Sequence, residues 1–242
     1  MRTRNDLVVF ARLAMRGARH QVRPQQLQRL LRTTLRLFRP RRRQRHTVAV
    51  DATGFSRRYA SRYYTKRLGG YWRHTFLNWS TVVWTQPQVV CAQSVRVGPG
   101  SGSRFLRPLM DQARQLLPIR RLLADADYDS EAHHQWLRET CGMESIIPAR
   151  CGRPRHHGLT QQPYRRRMQR WFPRRAYGQR WKVETVYSVV KRRFGEALTA
   201  RRYWSQVKQV LLRSVTYNLY RAVHPCLVWW RGITQQALVA FG

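Results

Sequence analysis

The sequence predicts an α/β fold, a mixed sheet covered by helices. Three observations carry that expectation. Three strand-like runs, "HTVAVDATGFSRR", "TFLNWSTVVWT" and "VVCAQSVRV", come first and close together. After them, helical and strand-like patterns alternate to the end, as in a sheet with covered faces. The 242 residues are 43% hydrophobic and 12% aromatic, enough for one sizeable core and a small appendage.

Residues 7 to 38 read as two helices. Pro24 can start the second, and Leu27, Leu30, Leu31, Leu35 and Phe38 give it an apolar side. "RPRRRQR" (39 to 45) is a basic linker, either a solvated charge run or a phosphate contact. In the first strand Val48 and Val50 alternate with Thr47 and Ala49, and the run ends at Gly54. The next two strands are joined at "QPQ", where Pro87 supports a turn. "GPGSGS" is a loop.

"RFLRPLMDQARQLL" sets Leu106, Leu109, Met110, Ala113, Leu116 and Leu117 on one side of a helix, with Pro108 tolerated only in its first turn. "IRRLLAD" is a short strand ending at Asp125. "SEAHHQWLRETC" is a helix that Asp129 or Ser130 can cap, and "ESIIPAR" is a strand ended by Pro148. Residues 150 to 176 read as an Arg-rich loop with interleaved aromatics. One helix then runs through "YGQRWKVETVYSVVKRRFG". Another spans 206 to 223, with Val207, Val210, Leu211, Val215 and Leu219 in step.

Charge narrows the function. There are 47 Lys and Arg against 11 Asp and Glu, a formal net charge of +36. A chain so charged repels itself when compact, and a polyanion relieves that; with this aromatic content, nucleic acid is the leading partner. A disordered basic tail is excluded, because such tails lack aromatics. No run reaches the roughly 18 apolar residues of a membrane span. Arg12 and Arg16 break the N-terminal apolar stretch, which makes a poor signal peptide. The four cysteines form no C-x-x-C pair, and free thiols in a reducing cytoplasm fit best.

In so basic a chain the few acids matter by position. Phosphodiester chemistry with two divalent metals needs carboxylates, often only two or three. Asp51 lies in a strand, Asp125 at a strand tip, and strand ends are where sites gather in open sheets. Glu184 lies on a helix. At 3.6 residues per turn, Tyr177, Arg180, Glu184 and Lys191 fall within an arc of about 60°, beside an apolar stripe of Val183, Val186, Tyr187, Val190 and Phe194. Taken singly, each acid has a plainer reading. Arg180 and Glu184 make a surface pair, Asp51 satisfies a turn, and Asp125 opens an Asx-turn. Together and in this order they point to a metal site flanked by phosphate-binding cations.

These residues resemble the DDE transposases of bacterial and archaeal insertion sequences. Tyr177, Arg180, Glu184 and Lys191 match a Y-x2-R-x3-E-x6-K signature at every spacing. "VAVDATGF" is similar to the first-aspartate motif and "LLADADYDSEAHHQWLRETCGMESIIPAR" to the second. The resemblance covers roughly residues 46 to 223. It implies a ribonuclease-H-like mixed five-stranded sheet flanked by helices; the residues outside it read as a small basic helical N-terminal segment (1 to 45) that could bind DNA, shorter than in many relatives, and a C-terminal tail (224 to 242). It further implies that Asp51, Asp125 and Glu184 hold two Mg²⁺ ions, or Mn²⁺ in their place. Tyr177, Arg180 and Lys191 would hold transposon-end DNA. The reaction implied is cleavage at the element's end, then attack of the freed 3′ hydroxyl on target DNA, by a homodimer that pairs two ends. Asp127 stands where the family has glycine, which leaves Asp125 and Asp127 as competing ligands, with Asp125 favoured by alignment on Tyr128 and Asp129.

Two rivals remain at this stage: a nuclease on the same fold that does not join ends, and a DNA-binding remnant without catalysis. His133, His134, His156, His157, Cys141 and Cys151 do not match a zinc finger or ribbon. Tyr164, Trp171 and Phe172 either stack on an unpaired base or tie their loop to the core. "CLVWWRGI" is an apolar cap or dimer contact, far shorter than a span.

Overall fold

The computed structural model describes residues 22–38, 44–57, 76–98, 102–150 and 160–240, with side chains described as far as residue 224. The first predicted helix and most of the linker at 39 to 45 lie outside them, as do Cys151, His156, His157 and the side chains of "CLVWWRGI".

The strands are β1 (His46–Arg57), β2 (Leu77–Trp84), β3 (Val89–Val97), β4 (Ile119–Ala124), β5 (Glu144–Ile146) and a short β6 (Ala197–Leu198). The main sheet has the order β3-β2-β1-β4-β5, and β6 pairs with the far end of β1. β1, β2 and β3 are antiparallel neighbours, whereas β4 and β5 run parallel to β1. This is the expected mixed five-stranded sheet with one small addition.

Seven helices are described: α1 (Pro24–Leu35), α2 (Leu106–Arg114), α3 (Glu131–Gln135), α4 (Pro163–Arg170), α5 (Arg174–Tyr177), α6 (Trp181–Phe194) and α7 (Tyr203–Ala240). Strand residues alternate between two faces, and so build two cores. Ala49, Phe55 and Leu123 face one core with Leu27 and Leu31 of α1, Val183, Val186 and Val190 of α6, and Val207, Val210 and Leu211 of α7. Val48, Val50, Leu122 and Ala124 face the other, with Leu106, Leu109 and Met110 of α2 and Leu137 beyond α3. The molecule is thus three layers, helix on sheet on helix.

α7 lies along the exposed edge of β3. Asn218, fully buried, accepts from the Val90 amide (2.9 Å) and donates to the Val90 carbonyl (2.9 Å) and to Thr34 Oγ1 of α1 (3.0 Å). One side-chain amide therefore satisfies an edge-strand residue that would otherwise invite pairing with another chain. Gln93 of β3 accepts from Trp79 Nε1 (3.0 Å) and from Ser214 Oγ of α7.

Several expectations are corrected. Residues 160 to 176 are not a loop: they hold α4 and α5. Neither Asp129 nor Ser130 caps α3 with its side chain, because the Asp129 carboxylate is taken by Arg150 and Arg165. The helix predicted from Tyr177 is tightened into a 3₁₀ turn over Gly178–Arg180 before α6 begins, where glycine weakens the α-helical path. α6 stops at Gly195, whose φ of +92° suits glycine. α7 continues past residue 223 to Ala240. Leu30 and Leu219 share apolar spacing with buried neighbours yet are 47% and 45% exposed.

Candidate active site

β1 and β4 pair in parallel as far as Val50 and Ala124. Asp51 and Asp125 are the next residue on each chain, so the register delivers two carboxylates side by side where the strands part. Both share strand parity with Ala49 and Leu123, which face the α6 core. Period-2 alternation therefore aims both at the layer that carries Glu184. The site lies at the carboxyl end of parallel strands, where open sheets gather their functional groups.

Tyr187 fixes α6 over this point. Its hydroxyl donates to the Asp51 carbonyl (2.5 Å) and hydrogen-bonds Thr81 Oγ1 (2.8 Å), and Thr81 is the cross-strand partner of Asp51. Its ring packs on Trp79 at 5.1 Å. Glu184 lies three residues earlier, nearly one turn away and on a neighbouring face. The sequence reading placed Tyr187 in an apolar stripe and missed this role. The available signal was a hydroxyl-bearing residue among valines, three positions after the glutamate.

Arg180 joins the carboxylates. Its Nη1 lies 3.4 Å from Asp51 Oδ2 and its Nη2 donates to Glu184 Oε1 at 2.6 Å. Tyr177 stacks its ring near the same guanidinium at 5.8 Å and rests edge-on against Phe172 at 4.9 Å. Burial raises the Asp51 pKa, and the nearby charges of Asp125 and Glu184 add to the rise, against an opposing hydrogen bond from Ala52 and the attraction of Arg180. Asp125 accepts from its neighbour's amide, Ala126 N, at 2.6 Å. Tyr128 is buried beside both aspartates, and burial pushes its phenol well above the usual range.

Of the predicted site residues, Asp51, Asp125, Tyr177, Arg180 and Glu184 meet in one electrostatic cluster. Lys191 does not join it. Its ammonium turns to Glu196 (3.7 Å) and to the face of Phe55 (5.7 Å). Asp127 also points elsewhere: its exposed side chain pairs with Arg150. His133 bonds the Tyr128 carbonyl (3.0 Å) and His134 bonds Ser145 Oγ (2.7 Å). Tyr164 donates to Glu139 (2.8 Å), Phe172 packs on the core, and Trp171 is 69% exposed.

Among the described residues, no three His, Cys, Asp or Glu side chains form a group that could hold a metal ion as arranged here. The donor chemistry nevertheless fits a hard divalent cation, because all three acids offer carboxylate oxygens. Asp51, destabilised as an anion chiefly by burial and further by its two acidic neighbours, would gain from one.

The mixed sheet with helices on both faces is the ribonuclease-H-like α/β fold. The chain belongs to the family described as the transposase DDE domain, whose profile matches residues 16–219. That family implies nuclease or transposase activity, DNA as partner and divalent metal as cofactor. No curated protein matches the chain. Among the described residues, no helix is long and apolar enough to cross a membrane.

Proposed function

We propose that the protein is a transposase of the insertion-sequence type that cuts at its element's ends and joins the freed 3′ hydroxyl to target DNA. Asp51, Asp125 and Glu184 are assigned as the metal ligands. The observation that carries this reading is that Asp51 and Asp125 follow the last paired residues of β1 and β4 while Arg180 bridges Asp51 to Glu184 of α6. Asp125 is preferred to Asp127 because Asp127 faces Arg150 and solvent.

The metal, when bound, would supply the charge that polarises the scissile phosphate and lowers the pKa of the attacking water. The chain's own groups do the rest. Asp51 and Asp125 are held rigidly by strand register, and Glu184 by the Tyr187 bond to the Asp51 backbone. Arg180, now bridging Asp51 and Glu184, would release them and turn its fork to a phosphate oxygen, a geometry guanidinium suits. Tyr177 backs that guanidinium. Lys191, two turns along α6, would add a point charge farther along the strand. Pairing of two ends calls for a homodimer.

The test is Mg²⁺-dependent cleavage of a labelled duplex carrying the element's own end, wild type beside Glu184→Gln. Cutting at the end by wild type alone, followed by joining to a second duplex, is the expected result. Binding without cutting by either protein would overturn the catalytic assignment. Cutting without joining would leave a nuclease.

A further inference from the structure

α4 is seated by polar contacts more than by apolar packing. Its sequence "PYRRRMQR" buries only Met168. Its N-terminal end is held by acids of α3 and the segments flanking it. Glu131 accepts from the Tyr164 and Arg165 amides (3.0 and 3.1 Å), which are first-turn donors with no partner inside the helix. Asp129, with a fully buried side chain, binds the Arg165 guanidinium at 2.7 Å. Glu139 takes the Tyr164 hydroxyl at 2.8 Å. Three of the chain's 11 acids thus serve to seat this one short helix.

The seat determines what the other side presents. On a helical wheel Tyr164, Arg165 and Met168 point inward, while Arg166, Arg167 and Arg170 occupy the opposite arc of about 100°. None of these three arginines has a carboxylate partner among the described residues. With Gln161, Pro163 and Trp171 they line an open cavity of about 570 Å³. Arg166 Nε is buried with no hydrogen-bond acceptor among the described residues. Arg170 lies over the exposed Trp171 ring at 5.9 Å.

We infer that this cavity is a phosphodiester-binding subsite, separate from the carboxylates, that grips the DNA backbone. Guanidinium forks match phosphate oxygens in pairs, and Pro163 and Trp171 offer an apolar wall to the adjoining deoxyribose. Phe172 and Tyr177 link the subsite to Arg180, so a phosphate held on α4 sets where the strand enters the cleft. The proposal shares with the transposase reading only the premise that DNA is the partner.

The experiment measures binding of a labelled random-sequence duplex to the full chain across a salt series. Each neutralised phosphate contributes about 0.9 to the slope of log K against log salt. Arg167→Ala/Arg170→Ala, both at exposed positions, should lower the slope by about 1 to 2 and weaken binding roughly tenfold or more. Arg166→Ala should lower it further. The charge-matched Arg107→Ala/Arg120→Ala should leave the slope near that of wild type. Equal losses in the two double variants, or no loss in either, overturn the subsite. Inorganic phosphate is titrated in parallel by thermal shift. Stabilisation that disappears in the α4 variants while their DNA slope is unchanged would assign the cavity to a free anion and overturn the DNA reading. Because binding is read without cutting, a wild type that binds but does not cleave removes the transposase reading and still decides the subsite.

Discussion

Asp51 shows how one residue can oppose the stability of the fold that positions it. Its folded pKa lies above the ordinary aspartate value of 3.8, chiefly because burial disfavours the anion. A raised carboxyl pKa favours folding below the unfolded value, and that contribution is lost as pH rises through the folded one. At neutral pH the ionised Asp51 therefore lowers stability. Asp51→Asn should melt higher than wild type at pH 7, and the gain should vanish below about pH 3.8. Millimolar Mg²⁺ should raise the melting temperature of wild type and not of the variant. A melting temperature for Asp51→Asn below that of wild type at pH 7 would contradict this account. The residues themselves were legible as chemistry, since isolated acids stand out in a basic chain. Tyr187 was not, because a tyrosine at helical spacing among valines reads as packing until β1 lies beneath it.

At the scale of elements, strands and most helices follow from alternation and apolar spacing. α4 does not, because periodicity detects burial of apolar side chains and α4 buries one. What holds it is a set of acids some 25 to 36 positions away in the chain, and no local pattern records them. Leu219 errs the other way, with the right spacing on the wrong side of a helix whose inner face also uses Gln206, Gln209, Ser214 and Asn218. Ser214 and Asn218 serve β3, while Gln206 and Gln209 bond the backbone of residues 199 to 201. Asn218→Ala would strand both polar groups of Val90 in a buried site. It should cost roughly 2–4 kcal/mol in urea unfolding. A loss under about 0.5 kcal/mol, typical of surface positions, would mean that water replaces the amide.

For the whole molecule, pH acts through a second buried group. Burial lowers the His134 pKa to about 4, aided by Arg138. Arg138 Nε donates to Ser145 Oγ, which also hydrogen-bonds His134 Nδ1. A depressed histidine stabilises the fold above its unfolded pKa of 6.5, and the contribution is lost as pH falls through 6.5 toward about 4. Across that window wild type should lose roughly 3 kcal/mol that His134→Gln does not lose. Chemical denaturation at pH 7 and pH 4.5 reads the difference. Parallel curves for the two proteins would exclude His134 as the cause.

The register that sets Asp51 beside Asp125 makes the site a matter of counting. Delete one residue from the run Val48–Val50 and Asp51, Asp125 and Glu184 are all still encoded and still carried by their own elements. Yet Asp51 would move one pleat and face α2 instead of α6. Insertions between strands leave the alignment intact, whatever their length. Keeping these carboxylates on one face thus depends on arithmetic inside two short strands more than on the composition of all that joins them.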